Sequence, residues 1–117
     1  MGAMKLLLKR AYDPPAHSDG ERILIDRIWP RGVSKEKASI DLWLKEIAPS
    51  TELRRWYGHK PERWQEFQKR YYSELEQRPE VVAQLRKELR KGPVTLVFGA
   101  KDVEHSNAEA LREYLKT

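Results

Sequence analysis

The chain has 117 residues, with 23 Lys or Arg against 18 Asp or Glu and a net charge of +5. That length fits one domain, which can bury about two-thirds of its unfolded surface and so needs no covalent staple. The absence of Cys excludes disulfides, thiolate ligands and thiol nucleophiles, and suits a cytoplasmic location. No apolar run approaches the ~20 residues of a membrane span, and the apolar start is too short for a signal peptide. The positive charge favours an acidic partner such as a nucleotide, a phosphate, a nucleic acid or an acidic protein, although charge of this size is also ordinary for a small soluble surface.

Met1-Gly2-Ala3 ahead of Met4 are given no role, and the domain is read as residues 4–117. Lys5 to Arg10, with Leu6, Leu7 and Leu8, reads as a short buried strand. Asp13-Pro14-Pro15 stops it, and Ser18-Asp19-Gly20 signals a turn. Ile23-Leu24-Ile25 is a second strand, followed by Asp26-Arg27 and a loop through Trp29-Pro30-Arg31-Gly32.

Ser34 is a plausible N-cap for a helix. Ile40, Trp43, Leu44 and Ile47 repeat at i, i+3, i+4, i+7 and predict one apolar helical face, ended by Pro49. Ser50 caps a short helix carrying Leu53 and Trp56, which Gly58 closes. Pro61 suits a first helical turn, and Trp64, Phe67, Tyr71 and Leu75 form the next stripe, ending before Pro79. Val82, Leu85 and Leu89 mark another helix, stopped by Gly92-Pro93. Val94 to Phe98 carries no charge and reads as a strand buried on both faces, as in a parallel sheet covered by helices. Ser106-Asn107-Ala108-Glu109 has the form of a capping box, with Leu111 and Leu115 on the core side of a last helix.

Strand, strand, several helices, strand, helix is the order of an α/β domain. The expected architecture is a small central, mostly parallel three-stranded sheet packed with about five helices in a single domain. The relative direction of the first two strands is open, because the roughly ten residues joining them suit a hairpin better than a crossover.

In open α/β sheets ligands gather beyond the carboxyl ends of strands. The second strand ends in Asp26-Arg27, with Arg31 close behind. The third ends in Gly99-Ala100-Lys101-Asp102, followed by His105 and Asn107. Side by side, these ends would bring carboxylates, guanidiniums and an imidazole together. The Arg fork matches phosphate or carboxylate, and Asp can orient a hydroxyl or act as a base. Arg54, Trp56 and His59 form a second group, in which His59 is a candidate acid or base.

The expected site therefore has Asp26, His59 and Asp102 in catalytic roles, with Arg27, Trp29, Arg31, Arg54, His105 and Asn107 binding a small anionic ligand. A bland alternative stands beside each: a structural Asp26-Arg27 ion pair, a turn ordered by Asp102 and His105, an exposed loop His59, and Trp29 as a plug on the sheet end. No zinc spacing, phosphate loop or nucleophile elbow occurs, so no metal or cofactor is expected. Two other readings stay open: a nucleic-acid-binding accessory, resting on pI and the many Lys and Arg, and a protein-interaction module using helical faces. Oligomeric state is not legible.

Asp26-Arg27-Ile28-Trp29-Pro30-Arg31-Gly32-Val33-Ser34-Lys35 resembles the signature of the YeaO-like proteins, a compact branch of the domain of unknown function 488 family. Ile47 to Arg54 with Trp56 and His59 resembles their second block. Val94 to Asp102 with His105 to Ala108 and Leu111 resembles their third. The resemblance implies a small α/β fold with a central sheet and no particular activity. Longer relatives carry a Cys at the end of the last strand, a Glu shortly after it and a Cys-His-Arg run at the following helix. Here Phe98, Ala100 and Ser106-Asn107-Ala108 stand there, so thiol chemistry is lost and Asp, Arg, His and Asn chemistry remains.

Overall fold

Val94–Phe98 (VTLVF) is buried at every residue, and its place in the sheet explains why. A computed structural model describes residues 5–116; Met1 to Met4 and Thr117, including the start of the expected domain, lie outside the described residues. Four strands are seen among these residues: β1 (Leu6–Arg10), β2 (Glu21–Leu24), β3 (Leu42–Trp43) and β4 (Val94–Phe98). Their order is β1-β4-β2-β3, and every pairing is parallel. The uncharged β4 is thus hydrogen-bonded on both sides, and the strands that hold it need no charge along its length. The first two strands point the same way without touching, which resolves the direction left open above.

Side chains alternate across a strand, and the two faces are covered differently. Leu6, Ile23, Leu96 and Phe98 join the main core with residues of α2 (Thr51–Tyr57), α3 (Trp64–Glu76), α4 (Pro79–Lys91) and α5 (Asn107–Leu115). The predicted stripes do this packing: Phe67, Tyr71 and Leu75 from α3, Val82 and Leu85 from α4, and Leu111 and Leu115 from α5. The other face is thinner, with Ala11, Leu24 and Val97 under Trp29, Val33, Ile40 and Trp43. There the buried Asp19 and Arg22 pair at 2.7 Å, and Arg22 Nε and Nη2 donate to the carbonyl of Ala38.

The sheet has four strands where three were expected, and the fourth lies inside the stretch read as a helix. Ser34 does cap a helix, accepting from Lys37 N, but α1 (Lys35–Ala38) lasts four residues. Ser39 then turns left-handed at φ 49°, and Asp41 accepts from Arg22 N and bonds back through its own N–H to Arg22 O. Leu42 and Trp43 pair with Ile23 and Leu24. The apparent helical stripe was two faces of a sheet edge: Ile40 and Trp43 serve the thin side, Leu44 and Ile47 the main core. The capping box at Ser106 is half made. Ser106 Oγ accepts from Glu109 N, while the Glu109 carboxylate turns to Arg112 at 2.6 Å.

Candidate functional site

Because all four strands are parallel, their carboxyl ends share one edge, and because β2 and β4 are neighbours the segments after them lie side by side. This joins Asp26 to Gly99 and Asn107 across more than seventy residues. Asp26 Oδ2 accepts from Gly99 N at 2.9 Å and Oδ1 from Asn107 Nδ2 at 3.0 Å. The backbone of Asp26 is held as well, its carbonyl accepting from Trp43 Nε1 on β3 at 2.6 Å. Burial pushes the Asp26 carboxyl above its ordinary pKa, against the pull of Asn107, Gly99 N–H and the charge of Arg54.

A cleft of about 250 Å³ opens over this junction. Asp26, Arg27 and Asn107 line it with Gly99, Ala100, His105 and Ser106; Ala48, Pro49, Thr51, Arg54, Tyr57, His59 and Phe67 complete it. The second group of residues comes from the segment after β3, and its position is fixed from below. Ser50 Oγ caps α2 through Leu53 N and donates to Glu74, Tyr71 OH donates to Ile47 O, and Arg78 Nη1 donates to Ala48 O. Arg27 Nη2 also donates to that carbonyl, at 3.2 Å, while its Nε is buried with no hydrogen-bond partner. Arg54 is exposed, and among the described residues neither arginine forms an ion pair. The aromatic wall is a stack, with Tyr57 and Phe67 centroids 4.3 Å apart. Burial first, then Asp102 and Glu62, push the Tyr57 phenol up to about 12, so it stays a donor, to His105 O at 2.8 Å.

His105 carries the imidazole nearest a carboxylate: its Nδ1 lies 2.8 Å from Asp102 Oδ2, and its ring meets Trp64 edge-on. The hydrogen bond from His105 holds Asp102 below the usual carboxylate range. His59 follows Gly58 into left-handed backbone at φ 56°, an uncommon conformation for a residue with a Cβ, and its ring lies 6.3 Å from that of Tyr57.

Of the nine expected site residues, six line the cleft: Asp26, Arg27, Arg54, His59, His105 and Asn107. Asp102 is exposed outside it and hydrogen-bonds a cleft residue, His105. Trp29 packs edge-on against Trp43 at 5.4 Å and donates to Val33 O, so it plugs the thin face. Arg31 is exposed on the loop, its carbonyl accepting from Tyr12 OH. Sequence reasoning missed Tyr57, Phe67 and Thr51. Tyr57 had a usable signal, an aromatic with a polar tip directly before the glycine that closes its helix. Among the described residues no cluster of three or more His, Asp or Glu is arranged to hold a metal ion, and no helix is long and apolar enough to cross a membrane.

An all-parallel four-stranded sheet with an Asp/Arg/Asn cleft at its carboxyl edge defines a small α/β domain. The family described as "Inactive DUF488-N3 subclade" matches residues 5–117, and the chain belongs to it, as a YeaO-like member of the DUF488 proteins. The Escherichia coli (strain K12) protein called "Uncharacterized protein YeaO" is 40% identical over 114 residues, 97% of this chain and 99% of its own length. An uncharacterized protein of Mycobacterium tuberculosis (strain ATCC 25618 / H37Rv) is 40% identical over 111 residues, 95% of this chain and 93% of its own. No solved structure matches.

Proposed function

We propose that the chain binds a small phosphorylated or carboxylated molecule in this cleft and performs no chemistry on it. One observation carries the reading: Arg27 and Arg54 line a single concavity and among the described residues neither forms an ion pair, in a chain whose buried Arg22 is paired. An unpaired guanidinium fork in a partly desolvated cleft is an anion site in waiting.

The absence of catalysis has two supports. The matching subclade is described as inactive. Two of the three cleft hydroxyls are engaged: Ser106 Oγ is buried, donating to Val103 O and accepting from Glu109 N, and Tyr57 is committed to His105 O, while the third, on Thr51, has neither His59 nor His105 bonded to it as a base. A second reading, an enzyme with His105 as base, is favoured by the Asp102–His105 hydrogen bond, which orients the ring. The nucleic-acid reading rests on the net charge of +5 alone. A cytoplasmic, soluble setting suits the binding role.

Titration of inorganic phosphate into the ¹⁵N-labelled protein tests the proposal. Amide signals of Asp26, Arg54, Gly99 and Asn107 are expected to move, and Arg54→Ala should weaken binding about ten-fold or more while leaving the melting temperature within a few degrees. Unmoved cleft signals, or equal binding by Arg54→Ala, would overturn it. Turnover of a phosphate ester that vanishes in His105→Ala would favour the enzyme instead.

A further inference from the structure

The cleft is not uniformly suited to an anion, because a carboxylate lies in its floor. A bare phosphate seated against Asp26 would meet like charge in a partly desolvated site, where repulsion is several times stronger than in water. The arrangement makes sense when another group comes between them. A carboxylate offers about four acceptor positions. Gly99 N and Asn107 Nδ2 use one on each Asp26 oxygen, leaving an acceptor position on each. Asn107 spends one of its two amide N–H groups on Asp26, and its Oδ1 adds an acceptor. Donors therefore collect at Arg27 and Arg54, and acceptors at Asp26 and Asn107.

We infer that the ligand is a small polyhydroxylated phosphate, a sugar phosphate, whose phosphate sits on Arg27 and Arg54 and whose hydroxyls donate to Asp26 and Asn107. This rests on the anion reading and narrows it. Size agrees: about 250 Å³ lies just under the ~300–1,000 Å³ usual for drug-sized ligands. A monosaccharide with one phosphate is a ligand of that size class. The Tyr57–Phe67 wall gives the sugar's C–H face an apolar surface.

Three probes separate the two readings by calorimetry on the wild-type protein: inorganic phosphate, propyl phosphate and ribose 5-phosphate. Ribose 5-phosphate is expected to bind about ten-fold or more tighter than propyl phosphate, the factor that a hydrogen bond to an ionised group supplies. Asp26→Asn should remove most of that advantage, lowering the ratio of the ribose 5-phosphate to the propyl phosphate affinity. Where that variant fails to fold, Asn107→Ala is expected to reduce the same ratio. Equal affinity for ribose 5-phosphate and propyl phosphate would overturn the sugar reading and leave the anion reading standing. Failure of all three probes to bind would remove both.

Discussion

Asp19→Ala is the most informative stability change. Asp19 is 2% exposed and takes Arg22 Nη1 at 2.7 Å, Lys9 Nζ at 3.0 Å and Ala16 N at 3.0 Å. Removing it leaves Arg22, whose side chain is 4% exposed, holding a charge with only the Ala38 carbonyl to answer it. Lys9 can turn to water, since a quarter of its side chain is already accessible. Deleting one partner of a buried pair costs about 3–5 kcal/mol, and the retained Ala38 bonds place this case near the lower end. At roughly 3–6 °C per kcal/mol for a domain of this size, the melting temperature should fall by about 10–20 °C. The second arm is Asp19→Ala with Arg22→Met. Replacing both members of such a pair by apolar groups is often neutral, but the Ala38 carbonyl and the Ala16 N–H also lose their partners, so the double variant should recover part of the loss. Acid sharpens the test. Burial alone would raise the Asp19 pKa, but the Ala16 N–H, Lys9 and Arg22 overcome it and hold the carboxyl low. Its stabilisation is present above the unfolded pKa of about 3.9 and is lost as pH falls through the lower folded value, so the gap between wild type and Asp19→Ala should narrow there. Thermal unfolding by circular dichroism measures all three proteins. A double variant no more stable than Asp19→Ala, or a single-variant cost under about 1 kcal/mol, would refute the buried-charge argument.

Three further outcomes follow from the same geometry. Tyr71→Phe strips the donor from the Ile47 carbonyl, which it meets at 2.6 Å in the core, so the urea midpoint should report a loss of about 1–3 kcal/mol; an unmoved midpoint would mean the carbonyl has another partner. Burial raises the Asp26 pKa, so its favourable contribution is complete below about 3.9 and is lost as pH rises through the folded value. The stability of Asp26→Asn relative to wild type should therefore increase with pH, and a difference flat from acid to neutral would discount desolvation as the cause. At Gly20, φ is +67° and an added Cβ would fall 2.9 Å from Pro93 Cβ and closer still to its backbone. Gly20→Ala should cost about 1–3 kcal/mol or more in chemical denaturation, and near-wild-type stability would show that the turn relaxes freely.

What could be read from the sequence followed strong local signals. Val94–Phe98 announced a central strand because a strand buried on both faces tolerates no charge, and Ser50, Gly58 and Ser106 marked helix ends because their side chains or backbone freedom are needed there. β3 was hidden because two residues are too few to show a period of two, and because Ile40, Trp43, Leu44 and Ile47 imitate a helical stripe while serving opposite sides of the sheet. Asp26, Arg27, Arg54 and Asn107 stood out by residue type and by their position after strands or at helix ends. That Arg27 would share the Ala48 carbonyl with Arg78 could not be seen, since it depends on how α3 and α4 pin the segment after β3. Trp29 and Arg31 looked functional for their loop position alone, and tertiary packing turned one to the thin face and left the other in solvent.

The strand order has a consequence for how the chain is made. β1 has no neighbour until β4 exists, and β2 has only the two residues of β3. A nascent chain leaving the ribosome amino end first would carry most of its length before the sheet could close. The long-range pairings of Val94 with both Leu6 and Glu21 make that closure costly in loop entropy and slow for so small a protein. The cleft, which straddles β2 and β4, is assembled in the same late event, so a truncated product lacking the last quarter of the chain has no such cleft.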